Sequence, residues 1–252
     1  MDKYFSINEQ GCSIRCKLYC EKQENIKRAV VFGHGFGGHK DNKAAERFAK
    51  RVQKKNSDIA VVTFNWPCHG DDSLSRLTLE ACDLYLGLVL SHLKERYGAE
   101  QIQGYATSFG GYLFLKYIHD HGNPFGAVAL RSPAVHMYED LTGAIMDRKQ
   151  TAAIAKGKPV QVGFDRKVRI TREFLEELKE ADITAYDFSA DAEQVLILHG
   201  TKDEIVSFDQ SQEFAQKNGI AFEAFAGADH RFQDPKLMDL AIDRIVRFFG
   251  FR

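Results

Sequence analysis

The sequence predicts an α/β protein: a mostly parallel central sheet with helices on both faces, carrying an inserted cap subdomain. Three observations lead there. Apolar runs of four to eight residues ("RAVVFG", "IAVVTF", "IQGYAT", "GAVALRS", "QVLILHG") alternate with charged amphipathic segments, the pattern of strands buried on both faces between crossover helices. The alternation stops at Pro133 and resumes at 194 to 200, an excursion of about sixty residues that is too long for a plain connection. A serine, an acid and a histidine each follow a different run, in that order along the chain. The core is therefore expected over 1–132 and 191–252, with the cap over 133–190.

The elements follow in order. Residues 3 to 8 and 12 to 20 read as an antiparallel hairpin turning at Gly11. In "CSIRCKLYC" the alternation puts Cys12, Ile14, Cys16, Leu18 and Cys20 on one strand face, so these cysteines are expected as buried small residues rather than a metal site. After the first core strand come a helix over about 41 to 55, the strand "IAVVTF", a helix over 77 to 97, the strand "IQGYAT", a helix after Ser108 and the strand "GAVALRS". The excursion divides into a helical piece from about 138 to 155, a hairpin within "PVQVGFDRKVRI" and a helix capped by Thr171. A helix after 209, the strand "AFEAFA" and a helix over 235 to 249 close the chain.

Composition excludes several classes. With 252 residues, 34 Lys and Arg, 35 Asp and Glu and a formal net charge of -1, the chain lacks the basic surplus that nucleic-acid or anionic-membrane binding requires. No apolar run approaches the roughly 18 residues of a membrane span, and "MDKYFSINEQ" lacks the parts of a secretory signal. Five cysteines, an odd number, fit a reducing compartment. A cytoplasmic protein with a small-molecule partner, and neither metal nor other cofactor, is expected; a homodimer is left open.

Four stretches carry chemistry. "ATSFGG" places Ser108 where a strand runs directly into a helix, a corner that strains its backbone and demands small residues two positions away; Ala106 and Gly110 meet that demand in an A-x-S-x-G variant of the G-x-S-x-G elbow. Serine is also a preferred helix N-cap, so this stretch alone does not decide between the two roles. "VVFGHGFGGHKDN" contains Gly33, Gly35 and Gly38 in G-x-G-x-x-G spacing, but "IAVVTFNW" ends without the acid that a dinucleotide ribose needs. The competing reading is an oxyanion loop, the N–H groups of Phe36 and Phe109 converging on one oxygen. "HGTKDEIV" offers Asp203 after a buried strand, and "FAGADHRF" offers His230 after the last strand, with Asp229 as a rival acid. Serine, then acid, then histidine is the order a nucleophile–base–orienter triad takes in this architecture.

On "HGFGG", "CHGDDS", "ATSFGG", "HGTKDEIV" and "DHRF", the chain resembles the α/β-hydrolases. It is similar in particular to the small serine esterases grouped with cinnamoyl (feruloyl) esterases, and more distantly to monoacylglycerol lipases and serine aminopeptidase-like hydrolases. The resemblance covers nearly the whole chain and implies cleavage of small or hydroxycinnamoyl-type esters through an acyl-enzyme, with Ser108, Asp203 and His230 as triad. It departs from the family at Ala106, at Cys68 in place of a glycine, and at Asn65-Trp66. Cap or loop contacts to substrate are expected from His34, Gly35, His136, Met137, Tyr138, Asp140, Gln161 and Tyr186. A lipase-like or aminopeptidase-like hydrolase is the alternative, although "DRKQ", "KGK" and "EELKEAD" make the cap polar for a lipid-facing lid; a non-catalytic binding protein of the same fold is the third.

Overall fold

The computed structural model describes residues 2–72, 74, 76–163 and 166–251. Ser73 of the "CHGDDS" motif and Phe164 and Asp165 of the expected hairpin turn lie outside the described residues.

β1 (Asp2–Glu9) and β2 (Cys12–Tyr19) form the expected antiparallel hairpin, with Gln10 and Gly11 both at positive φ (48° and 76°) as a tight two-residue turn requires. The chain then alternates: β3 (Arg28–Gly33), α1 (Lys43–Gln53), β4 (Ile59–Phe64), α2 (Leu79–Tyr97), β5 (Gln101–Thr107), α3 (Phe109–His121) and β6 (Val128–Arg131). The excursion holds α4 (Met137–Asp140), a π-helical turn (Leu141–Ile145), α5 (Arg148–Ala155), a two-stranded sheet of β7 (Val160–Val162) and β8 (Val168–Ile170), and α6 (Arg172–Glu180). β9 (Val195–Gly200), α7 (Phe208–Asn218), β10 (Ala221–Phe225) and α8 (Pro235–Phe248) complete the core. The main sheet has eight strands in the order β1-β2-β4-β3-β5-β6-β9-β10, parallel from β4 to β10 and antiparallel only at β1 and β2.

Alternate residues of each central strand feed opposite faces of this sheet. Val31, Val62, Ala106, Leu130 and Ile197 pack with α2 and α3 on one side, and Val30, Phe32, Val61, Tyr105 and Leu198 pack with α1 and α8 on the other. That two-sided burial is why the strands read as continuous apolar runs. Ile14, Cys16, Leu18 and Cys20 join the first layer with Cys12 against it, and these cysteines form no disulfide among the described residues.

Helix starts follow the capping side chains. Asn42 accepts from Ala44 and Ala45 N–H, so α1 begins two residues later than its charge pattern suggests; Thr78 caps α2, and Asp234 with Pro235 starts α8. The helical piece expected over 138 to 155 is instead two helices joined through the π turn. Asp147 is extended and forms a capping box with Gln150, which gives α5 a start of its own. The excursion packs on the α2–α3 side, where Met137, Leu141, Phe174 and Leu178 share the core with α3. Among the described residues no helix is long and apolar enough to cross a membrane.

Candidate active site

The carboxyl ends of β5, β9 and β10 lie at one edge of the sheet and bring three loops together. At the first, Ser108 takes φ 51° and ψ −121°, outside the regions open to an L-residue without strain. Its carbonyl accepts from the N–H groups of Gly111, Tyr112 and Ala134, and its N–H donates to the Arg131 carbonyl, so the strain is held by backbone on both sides. A Cβ at Gly110 would run into the carbonyl of Gly33; Gly110→Ala is expected to cost about 3 kcal/mol or more, read as a lowered midpoint in chemical unfolding. Ala106 pairs in register with Gly33, where a Cβ would sit 3.3 Å from Ala106 Cβ. The side chain missing at Gly33 leaves room for the alanine, and the turn forms without a glycine at 106.

At the second and third loops, His230 Nδ1 lies 2.8 and 3.0 Å from the two carboxylate oxygens of Asp203. Asp203 has no exposed side-chain surface, and it also accepts from Ile205 and Val206 N–H. Burial raises its pKa, but hydrogen bonds from His199 and His230 outweigh that and hold the carboxyl well below its ordinary range. An acceptor at Nδ1 fixes the proton there, which leaves His230 Nε2 with a free lone pair, the tautomer of a general base. Asp229 plays no part in this bond; it accepts from Gln233 N–H. The Arg131 guanidinium donates to the Arg231 carbonyl at 2.8 Å and lies 5.1 Å over the Phe232 ring, which steadies the His230 loop from the end of β6.

Ser108 and His230 line one cavity of about 650 Å³ together with Gly35, Phe36, Thr107, Ile145 and Ile205. Among the described residues Ser108 Oγ makes no hydrogen bond at rest, the loose state common for such a pair before substrate binds. The Gly35 loop passes directly over the serine, where a Cβ on Gly35 would stand 3.2 Å from Ser108 Cβ. Beside it, the N–H groups of Phe36 and of Phe109, the first residue of α3, have no acceptor among the described residues. The arrangement can therefore offer a nucleophile, a base and two donors to one bound carbonyl.

A family model described as the alpha/beta hydrolase family matches residues 30–238, which span every strand that builds this edge. The chain belongs to the alpha/beta hydrolase family. Solved structures across the family share the fold of this alpha/beta hydrolase at low identity. Est1E from Butyrivibrio proteoclasticus, with ferulic acid bound, is 16% identical at a TM-score of 0.73, covering 98% of this chain and 99% of its own. A soluble variant of monoglyceride lipase from Saccharomyces cerevisiae, in complex with a substrate analogue, is 14% identical at 0.75, covering 98% and 94%. The Pyrococcus furiosus esterase Pf2001 is 14% identical at 0.73, covering 99% and 92%. Comparison with proteins of curated function finds no match.

Other expected contacts of this alpha/beta hydrolase lie elsewhere. His34 is buried, its Nδ1 2.9 Å from the Gly35 carbonyl and its Nε2 accepting from Trp66 N–H, while its own carbonyl accepts from Trp66 Nε1; it holds the loop and does not line the cavity. Asn65, beside Trp66, accepts from Lys40 N–H and donates to Asp71, which explains how this pair shapes the loop. Tyr186 stacks on His119, 3.7 Å between ring centres, about 16 Å along α3 from Ser108. Gln161 is exposed on β7, and neither His136 nor the half-buried Tyr138 lines the cavity; Met137 is core.

Asp140 is buried with one carboxylate oxygen unpartnered among the described residues. Burial, and next the charge of Asp203, push its carboxyl up to about 7. An unfolded Asp titrates near pH 3.9, so between about pH 4 and 7 the unfolded chain releases a proton that the native state keeps, and stability falls as pH rises. Asp140→Asn is expected to be more stable than the parent at pH 8 by about 2–4 kcal/mol and little different at pH 4, read from unfolding curves at both.

One neighbour escaped sequence reasoning. His199, buried at the end of β9, places Nε2 3.1 Å from Asp203 Oδ2 and 3.3 Å from the Val206 carbonyl, so its Nε2–H is shared between two acceptors. The signal was present in the i,i+4 spacing of His199 and Asp203, but the strand's end had to be placed before it could be read.

Proposed function

We propose that the protein is a serine hydrolase of carboxylic esters, acting on small or hydroxycinnamoyl-type acyl groups through an acyl-enzyme. The observation that carries this reading is the pairing, in one cavity, of a serine on a strained strand-to-helix turn with a histidine whose Nδ1 is held by a buried carboxylate. Ser108 Oγ attacks the ester carbonyl carbon while His230 Nε2 accepts its proton. The oxyanion takes the N–H groups of Phe36 and Phe109, and the α3 N-terminus adds its dipole. His230 then returns the proton to the leaving alcohol, and water repeats the sequence on the acyl-enzyme to release the acid. Asp203 keeps the imidazole in its working tautomer and stabilises the imidazolium without itself taking the proton.

Support for the ester class comes from the neighbours named for esterase and monoglyceride lipase activity and from the one that holds ferulic acid. The purified protein should turn over 4-nitrophenyl butyrate or methyl ferulate. Folded protein inert on both would contradict the proposal, and faster hydrolysis of monoacylglycerols or aminoacyl amides would move it to the lipase-like or aminopeptidase-like alternative.

A further inference from the structure

The cavity over Ser108 is cationic out of proportion to the chain. Acidic and basic residues nearly cancel over the sequence, yet the described residues lining this cavity include Lys43, Arg131 and Arg166 against one carboxylate, that of Asp41. Asp41 is already engaged elsewhere: it accepts from the Tyr4 hydroxyl at 2.6 Å and lies 3.7 and 3.5 Å from the ammonium groups of Lys17 and Lys40. Asp203 lies beneath His230 and is not among the lining residues.

The cations come from three separate parts of the fold, which no single solvated helix face explains. Arg131 ends β6 and is only 6% exposed; its Nε is buried without a partner, and it makes no ion pair among the described residues. A buried guanidinium is costly unless a carboxylate or comparable acceptor meets it, and the Arg231 carbonyl and the Phe232 ring satisfy it only in part. Arg166 comes from the inserted segment between β7 and β8, and its carbonyl lies 3.1 Å from where a Cβ on Gly37 would stand, so the insertion brings this cation against the loop over Ser108. Lys43 opens α1 on the other side of that loop. Neither Arg166 nor Lys43 has a carboxylate partner among the described residues. Burial and then the charge of Arg166 push the pKa of His39, in the same lining, below its ordinary value, in keeping with a positive local potential.

We infer that the ester cleaved here carries a carboxylate away from the scissile bond, received by Arg131, Arg166 and Lys43. The inference rests on the serine-esterase reading above and narrows its substrate class. A planar guanidinium binds a carboxylate through two parallel hydrogen bonds, and a cavity of one charge sign concentrates ligands of the other. The neutral esters of the general assay would then be poor substrates relative to their charged counterparts.

Two matched pairs of esters test this, because the position of the carboxylate along the substrate differs between them. One pair varies the acyl part, mono-4-nitrophenyl adipate against the 4-nitrophenyl ester of adipic acid monoamide. The other varies the alcohol, 4-carboxyphenyl butyrate against 4-carbamoylphenyl butyrate. In at least one pair kcat/KM is expected to favour the carboxylate about tenfold at low salt, with the ratio falling severalfold at about 0.5 M salt as screening sets in. Arg166→Gln and Lys43→Gln should each lower that ratio about threefold; each variant's amide substrate corrects for any general loss. Turnover of the amides with ratios of one or below in both pairs overturns the inference, as does a ratio unmoved by salt and by both substitutions. No turnover of any of the four esters overturns the esterase reading, and this inference with it.

Discussion

Ser108→Ala is expected to lower kcat on any accepted ester by about 10⁴-fold or more while leaving the unfolding midpoint close to the parent's. The side chain makes no hydrogen bond among the described residues and its carbonyl, not its Oγ, anchors the turn, so little structure depends on the hydroxyl. Removing it also leaves a residue with a Cβ at φ 51°, the same backbone demand that serine already meets. The expected result is a folded, substrate-binding, inactive protein. If the variant kept a tenth of the parent's activity, Ser108 would not be the attacking group. Serine as a mere helix cap predicts the opposite pattern, lost stability with activity retained, and its side chain accepts no capping N–H.

Asp203→Asn is expected to lower kcat by about 10³- to 10⁴-fold, because an amide turned to present its NH₂ would favour the His230 tautomer with the proton on Nε2, where the base is needed. This substitution also reaches stability. Asp203 holds its proton less tightly folded than unfolded, so its contribution to stability is present above the unfolded pKa near 4 and is lost as pH falls through the lower native value. The parent should therefore lose stability progressively as pH falls below about 4, and the Asn variant should be less stable at pH 7 with a flatter profile below pH 4. His199 sharpens the expectation: its Nε2–H loses a charged acceptor at Oδ2 and keeps only the Val206 carbonyl at 3.3 Å. Comparing kcat with unfolding curves on one preparation separates the two effects.

Sequence patterns read well where a local rule decided the outcome. The Gly11 hairpin, the alternating face of "CSIRCKLYC", the buried runs of the parallel strands and the Thr171 cap are each set by neighbouring residues and appear as expected. The pairing of Asp203 rather than Asp229 with His230 was legible because a residue next to the histidine cannot reach around to its ring nitrogen. Features fixed by chains meeting from a distance were not legible. Whether Ala106 could replace a glycine depended on Gly33 lying opposite it on another strand. His34 read as a substrate contact, although Trp66, far along the chain, buries it in the loop's support. Arg131 and Arg166 carried no motif at all, and only the folded arrangement of β6 and the insertion puts them around one cavity. The break before α5 lay in Asp147 and Gln150, a capping pair inside a stretch whose apolar spacing reads as continuous helix.

The central claim is that Ser108 is an activated nucleophile, and covalent labelling with a fluorophosphonate tests it most directly. The account predicts stoichiometric phosphonylation of the folded protein, mapped by peptide mass spectrometry to Ser108, slowed strongly in Asp203→Asn and abolished in Ser108→Ala. Folded protein that resists the probe, or carries its adduct on another residue while Ser108 stays unmodified, would contradict it.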